Sequence, residues 1–360
     1  MKILQKYILK ELWLPFLLSF AILNFIFLAG YLVRAANFII GRGVPLWETL
    51  YILILAMPEM ISYTAPMSVL TAVLIVFGNL SQHNEIRAVK ASGIHPLLVM
   101  APALFIGLAM TFLMFMFNDQ IMTNGGFELR RMTKKLLIEH PSALIEPGRF
   151  VKLTDTITIL AKEVNGNVMR DIVAYENEGT DKPIRTIMAE RGEIKVGANK
   201  SQMQIMLYDG SISDAEKSSV QSMQFKTYEF PSLGQDDLQS LQKKTREKTL
   251  AELLIQSSDP ELSKENKREV WSAFHQRIAF SFGSFIFVFL GIPVAVLVHR
   301  GEIALSFGLS LAAASFYYIL FVGAKTITLQ GLVPPIVAFW APNVLLMFFG
   351  GRLLKKSFNA

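Results

Sequence analysis

The sequence has no cysteine among its 360 residues, which excludes disulfides, thiolate metal centres and cysteine nucleophiles. It is also poor in charge: only 18% of its residues are Asp, Glu, Lys or Arg, against 52% hydrophobic, a balance too apolar for an ordinary soluble domain. The usual signatures of catalysis and nucleotide binding are missing. There is no phosphate-cradling glycine loop ending in Gly-Lys-Ser/Thr, no His-Glu-x-x-His and no glycine-flanked nucleophilic serine. The five histidines, His83, His95, His140, His275 and His299, are scattered, four of them at expected membrane boundaries, where polar anchoring is the default role. No catalytic residue, cofactor or metal is expected, so any work this chain does must draw its energy from elsewhere.

The charge that is present is confined. Of the 64 charged residues, 47 lie between Asp119 and Arg277, and these split into 23 basic and 24 acidic. The overall net charge of +6 therefore belongs to the apolar flanks, and the polar block lacks the basic surplus that nucleic-acid binding needs. Uncharged apolar stretches long enough to cross a bilayer occur at residues 12–33, 60–80, 94–117, 278–298, 303–324 and about 332–350. The first follows Lys2, Lys6 and Lys10 and has no small-residue cleavage pattern after it, so it reads as a retained signal anchor. A shorter apolar stretch, residues 49–57, stops at Pro58 and Glu59 and reads as an interfacial helix leading into the second span.

With the N-terminus inside, nine basic residues of the short loops and ends are cytoplasmic: Lys2, Lys6, Lys10, Arg87, Lys90, Arg300, Arg352, Lys355 and Lys356. Only Arg34, Arg42 and Lys325 are outside. Both termini are then cytoplasmic and the polar block is extracytoplasmic. Within it, short strands at 150–153, 156–160, 171–175, 204–208 and 223–230 alternate with turn signals such as Glu146-Pro-Gly, Asn165-Gly-Asn and Asp209-Gly-Ser. Helices over 125–139 and 247–271 flank them. The expected fold is an α-helical membrane protein of six transmembrane helices with an inserted all-β domain, a β-sandwich or jelly-roll-like. Residues 1–118 and 273–360 would carry three spans each, and residues 119–272 the inserted domain.

The loop Ser81-Gln-His-Asn-Glu-Ile-Arg-Ala-Val-Lys-Ala-Ser-Gly spaces Glu85, Ile86, Val89 and Lys90 for a short amphipathic helix that ends at Gly93 before Pro96. Such a helix, about residues 81–93, can dock into a partner's groove or be an ordinary interfacial turn. This loop, with Met57-Pro-Glu-Met, Ala65-Pro-Met-Ser, Gly78-Asn-Leu, Phe274-His-Gln-Arg-Ile-Ala-Phe and Gly291-Ile-Pro-Val-Ala, resembles the LptF/LptG permease family of the lipopolysaccharide exporter.

The resemblance implies a non-catalytic ABC transporter permease of the bacterial inner membrane that extracts lipopolysaccharide for outer-membrane assembly. Its partners would be a cytoplasmic ATPase dimer, a second permease subunit that is a paralogue or an identical copy, and a periplasmic bridge protein. It also implies that Glu85 meets a basic group of the ATPase, framed by Arg87 and Lys90, and that Arg34 faces the anionic lipid head, where snorkelling to ordinary headgroups is the competing explanation. Lys325, Arg130 and Arg131 join Arg34 as headgroup candidates by position alone. Apolar residues of the first span (Phe20, Leu23, Phe25, Phe27, Leu28) and of the fifth (Phe307, Leu309, Leu311, Phe316, Leu320) would line an acyl-chain cavity or simply face lipid. Two other classes compete. One is the permease of a different lipid or lipoprotein ABC exporter, which commonly carries its large domain after the first span. The other is a membrane-anchored enzyme or secondary transporter, disfavoured by the lack of an ionisable residue deep in any span.

Overall fold

The structure is a computed structural model that describes residues 2–42, 44–139, 145–153, 156–177, 184–196, 202–216, 219–230, 233–234, 240–298 and 302–359. Six helices are long and apolar enough to cross a membrane: Ile3–Val33, Leu46–Gln82, Leu97–Leu136, Lys264–Val298, Ile303–Leu329 and Pro335–Ser357. They belong to the helices α1 (Lys2–Arg42), α2 (Leu46–Gln82), α4 (Pro96–Met116) with α5 (Thr123–Glu139), α7 (Lys264–Val298), α8 (Ile303–Leu329) and α9 (Pro335–Asn359). Two shorter helices complete the set, α3 (Glu85–Ala91) and α6 (Leu250–Ser257).

The helices run past the apolar stretches that mark them in the sequence. Residues 49–57, expected as a separate interfacial helix, are continuous with the second span, and Pro58 and Pro66 lie inside α2. A membrane-spanning helix has no water to satisfy opened backbone groups, so it absorbs a proline rather than breaking there. The expected helix over 247–271 is instead two pieces, α6 and the beginning of α7, parted by a segment that holds Asp259-Pro260. Proline biases its predecessor out of the helical region, and Asp259 accepts from the Glu261 amide to form a turn.

Packing is close where small residues let helices approach. The α2 window is 89% buried, whereas that of α1 is only 11%. Gly291 of α7 lies against Leu70 and Val73 of α2. Interhelical hydrogen bonds add specificity: Thr71 Oγ1 donates to Ser310 Oγ at 2.7 Å, the Tyr318 hydroxyl to the Tyr63 carbonyl at 2.9 Å, and the Tyr317 hydroxyl to Asn343 Oδ1 at 2.8 Å. Asn343 in turn donates to the Ala279 carbonyl, so α7, α8 and α9 meet at one buried polar point.

The inserted domain is an antiparallel sheet of β1 (Phe150–Lys152), β2 (Ile157–Asn165), β3 (Val168–Asn177), β4 (Ile184–Val196), β5 (Gln202–Glu216), β6 (Ser219–Glu229) and β7 (Leu233–Gly234). Strands β1 to β6 are neighbours in sequential order, and β7 pairs with β5. The domain is all-β as expected, built from one continuous sheet. Its inward positions change parity along a single row. In β3 the buried Ala174 and Ile172 give way to Met169, in β4 Ile187 and Ala189 to Ile194, and in β2 Ile159 and Ala161 to the partly buried Val164. By the register of the flanking pairs, this row is Lys162, Asp171, Glu190, Asp209 and Lys226. Asp171 and Asp209 adopt positive φ there (48° and 52°), a conformation Asp tolerates better than most residues. The row is a crease, and residues on both sides of it share one core with Ile145 and Leu153. Gly192 and Gly210 permit it: a Cβ would lie 2.4 Å from Ile172 Cδ1 at the first and 2.2 Å from the Met188 carbonyl oxygen at the second.

The chain divides into two compact units. One comprises residues 1–30, 56–127 and 243–360; the other comprises 31–55 and 128–242.

Candidate functional site

In the loop after the second span, α2 ends at Gln82, and Asn84 takes a positive φ (59°) to start α3. Ile86 of α3 is buried in the helical core and Val89 packs against that core, so the apolar side faces the bundle. Glu85, Arg87 and Lys90 are left exposed on the other side. Arg87 Nη1 donates to Asn84 Oδ1 at 3.2 Å, and Gly93 turns the chain with φ +74°. The Ser81 hydroxyl donates to the Val296 carbonyl, which ties the end of α2 to the end of α7 just before this loop. The result is a small charged ridge seated on the helical core.

The headgroup candidates are placed less uniformly. The side chain of Arg34 lies outside the described residues, though its backbone is in α1. Arg130 Nη2 donates to the Gln242 carbonyl at 2.6 Å, and Arg131 pairs with Glu128 at 3.6 Å with both side chains well exposed. Lys325 is exposed near the end of α8 and has no ionic partner among the described residues. It belongs to the helical unit, whereas Arg34, Arg130 and Arg131 belong to the other. Of the apolar residues singled out for a cavity, Leu23 is buried and Phe307 and Leu309 pack on the core, while Phe25, Phe27, Leu311 and Phe316 are exposed. An open apolar groove of about 500 Å³ runs between α4 and α7, walled by Phe105, Leu108, Phe112, Phe115, Ile278 and Phe282.

A polar knot that sequence reasoning missed joins the third and fourth spans. Between α4 and α5 the helix widens into a π-helical turn over Phe117–Met122. Asn118, which is 3% exposed, accepts from the Ser62 hydroxyl at 2.6 Å and donates to Ser281 Oγ at 3.1 Å. The next residue, Asp119, takes Arg277 Nη1 at 2.8 Å and the Leu250 amide at 2.7 Å on the same Oδ1. An α-helix would turn two consecutive residues well apart; the wider π turn lets both find internal partners. Breaking one side of such a buried ion pair leaves an uncompensated charge, at a cost of about 3–5 kcal/mol. The signal available in the sequence was only that Asp119 and Arg277 are the first and last charges of the polar block.

Among the described residues three histidines have structural partners: His83 Nδ1 lies 2.9 Å from the Asn79 carbonyl oxygen, His95 Nδ1 accepts from the Leu97 amide to cap α4, and His275 stacks on Trp271.

The chain is 23% identical over 302 residues to an uncharacterized protein of Rickettsia prowazekii (strain Madrid E), covering 82% of each chain. The model of the lipopolysaccharide export system permease LptF/LptG matches residues 6–356. Six spans interrupted by a β domain, matched over nearly its whole length, make this chain a member of the LptF/LptG family of lipopolysaccharide export permeases and a multi-pass inner-membrane protein.

Proposed function

We propose that this chain is the permease subunit of an ABC exporter that extracts lipopolysaccharide from the inner membrane and passes it to a periplasmic bridge for outer-membrane assembly. Family membership carries the reading. Both termini and α3 are cytoplasmic, as the excess of basic residues in those loops favours, and the β domain is periplasmic. A cytoplasmic ATPase dimer grips the ridge of Glu85, Arg87 and Lys90 and supplies the energy, because the chain carries no nucleotide-binding signature of its own. The apolar residues left open on α1 and α8 meet lipid and a second permease subunit, paralogue or copy, around the substrate. Arg34, Lys325, Arg130 and Arg131 are each candidates to meet the anionic lipid head.

The decisive experiment is mass spectrometry of the intact complex purified in mild detergent from the native host. An ATPase dimer, a second six-span permease and bound lipid A are expected, and Glu85→Arg is expected to lose the ATPase while the permease stays folded. Recovery with lipoprotein or another lipid in place of lipid A would reassign the substrate.

A further inference from the structure

The chain leaves the helical unit through the third span and α5 and comes back at Lys243. These two crossings are joined repeatedly. Asp119 holds the Leu250 amide at 2.7 Å, Asn124 Oδ1 accepts from Lys243 Nζ at 3.3 Å, and Arg130 reaches the Gln242 carbonyl at 2.6 Å. At the membrane end, one atom collects everything. Asp119 Oδ1 ties the outgoing π turn to the returning segment and, through Arg277 Nη1, to the fourth span. Arg277 Nη2 closes the circuit on the Arg246 carbonyl at 3.4 Å.

A plain α-helix would have joined the third span to α5 with fewer residues. The π turn, an inserted residue held in place by Asn118 and Asp119, is the costlier arrangement, and such turns recur at functional positions. The pair is also poorly explained as simple glue, because well-packed apolar residues would stabilise the site as well as a buried ion pair does.

We propose that Asp119 and Arg277 are a coupling latch: they oblige the two chain crossings to follow the third and fourth spans, so that rearrangement of the spans during ATP turnover reaches the inserted β domain. Both are positioning residues. The assignment rests on the permease reading, in that the spans are taken to rearrange during transport.

The test uses the complete complex carrying wild-type permease, Asp119→Asn, Arg277→Met or both substitutions. Asn retains an acceptor for the Leu250 amide, and the double variant leaves no unpaired charge. Each single variant should melt at lower temperature, and the double variant should return toward wild type. ATP hydrolysis should stay within about twofold of wild type while transfer of lipopolysaccharide to an acceptor falls by at least about tenfold in all three, a span typical of conformational coupling. A double variant that regains transfer along with stability would overturn the latch, as would hydrolysis that falls in step with transfer.

A second readout does not depend on the substrate. Because the chain has no cysteine, a spin label at Thr133→Cys, on the exposed side of α5, reports that helix in a complex whose partner subunits carry no accessible cysteine. A nucleotide-dependent change of its signal should occur with the wild-type latch and vanish in the double variant; its persistence would refute the latch. If that change behaves as expected but the wild-type complex moves no lipopolysaccharide, the substrate assignment falls and the latch stands.

Discussion

Gly283 has no room for a methyl group, since a Cβ there would lie 2.6 Å from the Tyr317 hydroxyl, which itself serves Asn343 and the Ala279 carbonyl. Gly283→Ala should therefore destabilise the helical unit by about 1–3 kcal/mol. Gly308→Ala, with nothing within 4 Å, should leave the melting temperature of the purified protein essentially unchanged. The basic residues divide in the same physical way. Lys325 has no ionic partner among the described residues, so Lys325→Glu should reduce the lipid A that copurifies without lowering the melting temperature. Arg130 spends its guanidinium on the Gln242 carbonyl, so Arg130→Ala should loosen that junction, seen as faster amide exchange around residue 242. Sequence position made these two residues equivalent candidates, and only hydrogen bonding separates them.

At the scale of elements, α3 shows how a pattern becomes a device. Its spacing was legible in the sequence because Ile86 and Val89 lie three apart, one helical face, and the structure places that face on the core. Ile86→Asp should unseat the helix and abolish ATPase binding, whereas Glu85→Arg should abolish binding with the helix still seated; amide exchange over residues 85–91 distinguishes the two.

The short helix α6 should depend on pH. Partial burial works to raise the Glu252 carboxyl. Hydrogen bonds from Lys243 and from the Thr249 amide, together with the Lys243 charge, outweigh that effect and hold it below its ordinary value. A depressed carboxylate stabilises the fold above its unfolded value, about 4.3, and that contribution is lost as pH falls through the lower folded value. The protection factors of the α6 amides, exchange corrected for its intrinsic pH dependence, should accordingly fall as pH is lowered through that window, and Thr249→Ala, which removes the reciprocal cap, should lower them already at neutral pH by destabilising the helix about 1 kcal/mol.

For the whole molecule, the absence of cysteine makes the orientation directly measurable. A single cysteine at Lys226, on the crease of the β domain, should react with a membrane-impermeant maleimide in cells whose outer membrane is permeabilised; one at Lys355 should react only after the inner membrane is opened. The sequence by itself determined that there are six spans with a polar domain inserted between helices, its β character, and the charged loop after the second span. Each of these is written in local composition: runs of twenty apolar residues, alternation, turn residues, and amphipathic spacing over one helical turn. Tertiary structure alone decided that residues 49–57 join the second span, that five strands crease along a row of charges, and that Asp119 meets Arg277. Those outcomes depend on groups far apart in the chain. A helix absorbs a proline when hydrocarbon forbids an open backbone, a sheet changes its buried parity when glycines let it fold on itself, and two charges 158 positions apart become partners only when the fold buries them side by side.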